Sequence, residues 1–168
     1  SFANALRAAL REDPDVIMVG EMRDLETIST TITAAETGHL VFATLHTNSA
    51  AQTINRIIDV FPSDQQDQIR SQLASSLLGV ISQKLIPVKG RGFLPACEVL
   101  VSTSGISNLI RENKIHEIPS IIETSGQIGM RTLNKSLLEM VREDLISKEL
   151  AIAYSFNPED LKIRLSRL

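Results

Sequence analysis

The chain has 168 residues, 43% of them hydrophobic and 22% charged, with a formal net charge of -3 and a single cysteine. That length bounds it to one ordinary domain, or one with a small appendage, and the balance of residues is enough for a packed core. The charge makes no electrostatic case for nucleic acid, and the lone Cys97, expected as a small buried side chain, closes neither an internal disulfide nor a thiolate zinc site.

No apolar run reaches the roughly 20 residues that span a membrane. No signal-peptide pattern is visible in these residues, and the composition suits the cytosol. The chain opens on a helix start without an initiator Met, and we therefore expect a piece of a longer protein.

Ser1 is placed to cap a helix carrying Phe2, Leu6 and Leu10 on one face, with Arg7 and Arg11 on its flank. Asp13-Pro14-Asp15 stops that helix, and Val16–Val19 reads as a short apolar strand running into Gly20-Glu21-Met22-Arg23-Asp24. A helix over Leu25–Glu36, ended by Gly38, leads to a second strand from Leu40 to Leu45 and then to His46-Thr47. Strand, helix and strand form a crossover unit, so the two strands are expected to be parallel.

A helix opening at Asn48 or Ser49 is expected through about Val60. A second is expected from the Pro62–Gln66 stretch, with Ser63 and Gln66 spaced as a capping box and Ile69, Leu73, Leu77 and Leu78 buried. Val80–Val88 and Phe93–Val101, joined by Lys89-Gly90-Arg91-Gly92, read as an antiparallel hairpin at the sheet edge. Beyond Ser102 only helical patterns remain: 104–113, 118–124, 131–146, 147–154 and 158–168, the last begun by Asn157-Pro158. The expected organisation is an α/β core over 1–103 followed by a helical subdomain over 104–168.

Parallel strands deliver Glu21 and His46 to one edge of the sheet, where open α/β sheets bind ligands. In adjacent strands the two backbones lie about 5 Å apart. A carboxylate there can orient or deprotonate an attacking water, a task worth about 10²–10⁴ in rate. Taken singly, Glu21 also reads as a solvated acid and His46 as a structural histidine; the crossover that pairs them is what points to chemistry. Arg7, Arg11 and Arg23 can neutralise phosphate charge or pair with Glu12, Asp13 and Asp24, and both readings stay open. No G-x-x-x-x-G-K-[ST] loop occurs in the 168 residues, and Gly20 stands where many such sheets carry a magnesium-binding aspartate. These residues alone are therefore expected to bind nucleotide weakly.

The runs DPDVIMVGEMRD (13–24) and TGHLVFATLHT (37–47) closely resemble two signatures of the secretion and type IV pilus ATPase superfamily, an atypical Walker B and a histidine box. The resemblance implies the later part of a RecA-like core with a mostly parallel sheet, ATP and Mg2+ as cofactors, and Glu21 as the catalytic glutamate. His39 and His46 match the box histidines. The segment 105–137 resembles the retraction branch, and residues 105–112 match its AIRNLIRE element except at Gly105 and Ser107. Ile106, Leu109 and Ile110 then pack inward, while Asn108, Arg111 and Glu112 are left for a partner surface or for intramolecular pairing. The single cysteine excludes the four-cysteine zinc module of assembly and type II secretion ATPases.

The resemblance further implies that a PAS-like domain, the phosphate-binding loop and an acidic box precede Ser1. Family members form homohexameric rings on the cytoplasmic side of an inner-membrane platform protein, and ATP hydrolysis drives pilus retraction and twitching motility. Two other functions remain on this footing. One is a non-catalytic interaction module in which 104–168 docks on a membrane platform. The other is an assembly or type II secretion ATPase.

Overall fold

The computed structural model describes residues 2–90 and 92–168. The expected cap at Ser1, the side chain of Phe2 and the turn residue Arg91 lie outside what it describes. It divides into two compact units that interleave along the chain. One comprises 1–47, 51–78 and 102–118, the other 48–50, 79–101 and 119–168.

In the first unit, helix α1 (Phe2–Ala9) runs into a short 3-10 turn over Leu10–Glu12 and stops where Asp13 takes a left-handed backbone with φ 51°. Strand β1 (Val16–Val19) pairs in parallel with β2 (Leu40–Ala43), Val16 opposite Leu40 and Val19 opposite Ala43, with α2 (Leu25–Glu36) as the crossover. Gly38, at φ 100°, turns the chain from α2 into β2, a conformation open to glycine without strain. The alternation is direct. Ile17 and Val19 pack with Leu6 and Ala34 into a core, while Met18 and Phe42 on the opposite face are more than half exposed.

Helices α3 (Ala50–Asp59, of which Ala50 belongs to the second unit), α4 (Gln66–Ser76) and α5 (Ser104–Arg111) follow. Ile69, Leu73, Ile106 and Ile110 are buried, and Leu109 is half-buried. Two details depart from expectation. The Ser63–Gln66 capping box does not form: Gln66 instead donates to the carbonyl of Phe61 at 3.1 Å. Leu78 is 72% exposed because α4 ends at Ser76 and Leu77 is extended, which takes Leu78 off the helical face. Ser107 donates to the carbonyl of Ala74 at 2.8 Å and ties α5 to α4.

In the second unit, β3 (Gly79–Pro87) and β4 (Phe93–Val101) form the expected antiparallel hairpin. Among the described residues it stands as a two-stranded sheet of its own, not as an edge of the β1–β2 sheet. One strand edge is occupied locally: β4 exchanges backbone hydrogen bonds with Arg131 at Val99. One face of the hairpin packs Ile86 and Ala96 against Leu133, Leu137 and Leu138 of α7 (Leu133–Arg142). Cys97 is half-buried, more open than expected.

Helix α6 (Ile118–Thr124) keeps its expected bounds. Helices α7, α8 (Lys148–Tyr154) and α9 (Pro158–Leu165) are shorter than their patterns, each begun by a side-chain cap from Thr132, Ser147 and Asn157 respectively. The left-handed Asp144, φ 57°, marks the end of α7.

Candidate functional site

The site is built by the two strand ends. Beyond β1 and β2 the parallel ladder continues into the loops: the amide of Met22 donates to the carbonyl of Thr44 at 3.0 Å, and the Thr44 hydroxyl donates to the carbonyl of Gly20. These cross-links flank Glu21 and fix its backbone against the strand that delivers His46. Asp24 then caps α2, its carboxylate accepting from both the amide and the hydroxyl of Thr27 at 2.9 Å. The Thr27 amide holds the Asp24 carboxyl below its ordinary range, as expected for an acceptor at a helix N-terminus.

One oxygen of Glu21 receives two cationic or potentially cationic groups. Arg23 Nε lies 2.5 Å from Oε1, and His46 Nε2 lies 3.0 Å from the same atom. Glu21 is the sheltered member: its side chain is 27% exposed, against 76% for Arg23 and 83% for His46. The hydrogen bond from Arg23 is the main cause that holds the Glu21 carboxyl below the usual carboxylate range, with burial opposing it and His46 adding to it. The guanidinium is stabilised in return. Glu21 is therefore an ionised acceptor at neutral pH.

An open cleft of about 240 Å³ lies over this pair, lined by Glu21, Met22, Arg23, Leu45, His46 and Arg56. All six belong to the first unit. The sequence reading did not single out Arg56. It sits on α3 ten residues after His46, between the inward-facing Ile54 and Ile57, and its exposed place on the helix was the available signal.

The other candidates lie elsewhere. Arg7 pairs with Glu26 at 2.9 Å, and Arg11 is exposed within the 3-10 turn; neither lines the cleft. His39 places Nδ1 3.0 Å from the carbonyl of Ala34 and closes the end of α2. On α5 and the turn after it, Arg111 donates to Asn108 at 3.0 Å and Glu112 pairs with Lys114 at 2.7 Å, so all three residues are exposed and engaged within the chain. Among the described residues no three His, Cys, Asp or Glu side chains converge as a metal site, and no helix is long and apolar enough to cross a membrane.

Open α/β sheets bind ligands beyond the carboxyl ends of their parallel strands, the edge at which Glu21 and His46 stand here. The chain belongs to the Type II/IV secretion system protein family, whose model matches residues 1–149. It is 54% identical over 159 residues to the type IV pilus retractation ATPase PilT of Pseudomonas aeruginosa, covering 95% of this chain and 46% of that protein. It is 52% identical over 162 residues to the twitching motility protein of Neisseria gonorrhoeae, covering 96% and 43% respectively. The crystal structure of the pilus retraction motor PilT with bound ADP superimposes with a TM-score of 0.88 at 52% identity, over 97% of this chain and 46% of that one. The chain thus spans somewhat less than half the length of these relatives and shares the α/β fold of the retraction motor.

Proposed function

We propose that these 168 residues supply the water-activating part of a ring-forming ATPase motor that hydrolyses ATP to power type IV pilus retraction and twitching motility. The observation that carries this reading is Glu21 Oε1 held at 2.5 Å by Arg23 and at 3.0 Å by His46, at the carboxyl end of two parallel strands. The likeness to a retraction motor that binds ADP supports ATP as the substrate class.

Phosphoryl transfer asks little covalent chemistry of the protein, so positioning and charge dominate. A carboxylate whose pKa is depressed is a poor proton sink, but it stays ionised and can still accept a hydrogen bond from water. Glu21 therefore orients the attacking water and stabilises the partial positive charge that builds on it as its oxygen bonds to the terminal phosphorus. The bond from that phosphorus to the bridging oxygen breaks, and the water proton passes to the phosphate product. His46, through Nε2, holds the Glu21 carboxylate in line and connects it to the loop leading into α3, where Thr47 and Thr53 share a 2.7 Å hydrogen bond. Loss of the terminal phosphate is transmitted along this route.

Magnesium accompanies such substrates, but the cleft offers one carboxylate, already engaged by two partners, and Gly20 supplies no ligand side chain. These residues by themselves do not make a protein-held magnesium site, and no step runs through one. Asn108, Arg111 and Glu112 on and beside α5 are proposed as a coupling or partner element. A homohexameric ring docked on the cytoplasmic side of an inner-membrane platform protein is the proposed assembly.

The test is Glu21→Gln in the whole protein that carries this sequence. ATP binding is expected to persist while turnover falls by about 10²–10⁴. Turnover close to that of the parent would remove the catalytic assignment.

A further inference from the structure

We propose that Arg56 is the anion-binding residue of this cleft, taking the terminal phosphoryl oxygens of a polyphosphate. The assignment deepens the proposed function and rests on it for the identity of the natural ligand. Its basis is a contrast between the charged groups that line the cleft.

Glu21, the cleft's single acidic side chain, is engaged by Arg23 and His46 at the same oxygen. Arg56 lines the same cleft, and among the described residues it makes neither an ion pair nor a side-chain hydrogen bond. Two guanidinium groups and one carboxylate leave the lining with a net charge of at least +1, whatever the protonation of His46. An exposed surface arginine commonly has no partner. This one is set apart by its position: it shares a concave site with a carboxylate already engaged by Arg23 and His46.

The chemistry selects the ligand class. A guanidinium presents a planar fork of donors that matches two oxygens of a phosphoryl group. Leu45 and Met22 supply apolar wall beside these charges. The carboxylate beside it disfavours an anion bound deep against Glu21, so the phosphoryl group is held on the α3 side of the cleft. That arrangement leaves the Glu21 side for water.

Arg56 also stands where a bound anion would be felt by the fold. The helix it occupies buries Ile54, Ile57 and Ile58 on its opposite faces, so its backbone is fixed by packing. A phosphoryl group held by Arg56 is thus referred to a rigid element, while Arg23 lies on the loop after β1.

The experiment titrates the protein with tripolyphosphate at low ionic strength and follows the Arg56 Nε–Hε resonance by NMR. A saturable shift is expected, and binding in Arg56→Gln should be about ten- to a hundredfold weaker, as for loss of a charge-assisted hydrogen bond. Arg56→Lys, which keeps the charge but not the fork, should fall between the two. Glu21→Gln should bind tripolyphosphate at least as tightly as the parent, since it loses a negative charge from the cleft. An Arg56 resonance that does not respond, or equal affinity in Arg56→Gln, overturns the assignment. Failure of the ATPase reading shows separately, as unchanged turnover in Glu21→Gln, and would leave the anion-binding result standing.

Discussion

Replacing Asn134 with alanine should destabilise the helical part of the second unit well beyond what a surface polar substitution does. Asn134 is buried on α7, and its amide reaches three partners. Nδ2 donates to the carbonyl of Asn157 at 3.0 Å and to Asp160 Oδ2 at 2.8 Å, and Oδ1 accepts from the Ser155 hydroxyl at 2.6 Å. One side chain thereby fixes α7 to the turn between α8 and α9 and to the first turn of α9. Two neutral hydrogen bonds at about 1 kcal/mol each and one to an ionised carboxylate at about 1.5–3 kcal/mol sum to about 4 kcal/mol. Asp160 is about a third exposed, so water screens part of that and can re-satisfy it. The net expectation is about 2–3 kcal/mol.

The chain contains a single tyrosine and no tryptophan, and Tyr154 lies at the end of α8. Its fluorescence therefore reports this unit alone during urea unfolding. With m at about 2 kcal/mol/M, the midpoint should fall by about 1–1.5 M. The pH dependence gives a second reading. Burial pulls the Asp160 carboxyl up, but the hydrogen bonds from Asn134 and Arg164 outweigh it and leave the group below its ordinary value. A depressed carboxylate contributes stability above its unfolded pKa and loses it as pH falls through the folded one, so Asn134→Ala should shrink that acid-side loss. A midpoint within about 0.3 M of the parent, with an unchanged acid limb, would refute the claim that Asn134 holds the junction.

Two further outcomes are expected. Leu137 is fully buried between the hairpin and the neighbouring helices, and Leu137→Ala should cost about 3–4 kcal/mol, read by the same tyrosine signal. Arg23→Gln should return the Glu21 carboxyl toward its ordinary range, read by carboxyl 13C titration. The parent gains stability from Glu21 above the ordinary glutamate pKa and loses it as pH falls through the depressed value, and the variant should lack that window.

The strands, the crossover helix and the hairpin were legible because each is fixed by short-range pattern. Val16–Val19 and Leu40–Leu45 are brief apolar runs with a helix-length segment between them; the first strand and the helix at about Leu25–Glu36 match β1 and α2, while β2 ends two residues early, at Ala43. The helix ends were less legible. The pattern 131–146 reads as one helix, yet Thr132 caps its start and the left-handed Asp144 ends it early. The expected capping box failed for the converse reason: Gln66 found the Phe61 carbonyl, a partner five residues back that spacing does not reveal. Leu78 looked like core by period alone, but the chain had already left the helix at Leu77.

The cleft followed a different rule. Glu21 and His46 were predictable as a pair because parallel pairing carries both strand ends to one edge, whatever the details of packing. Arg56 was not, since its place depends on how α3 leaves the loop after His46, and nothing in its local pattern separates it from a solvated arginine. Arg7 was open between a phosphate contact and an ion pair. Its helical flank offered a cation to the site, but the approach of α1 to α2 brought it to Glu26 at 2.9 Å. Charges on flanking helices are therefore the weakest part of a site read from sequence, because a rotation of a few tens of degrees redirects the side chain. Groups on strand ends are the strongest, because the backbone ladder itself, here extended by Met22 and Thr44, sets their separation.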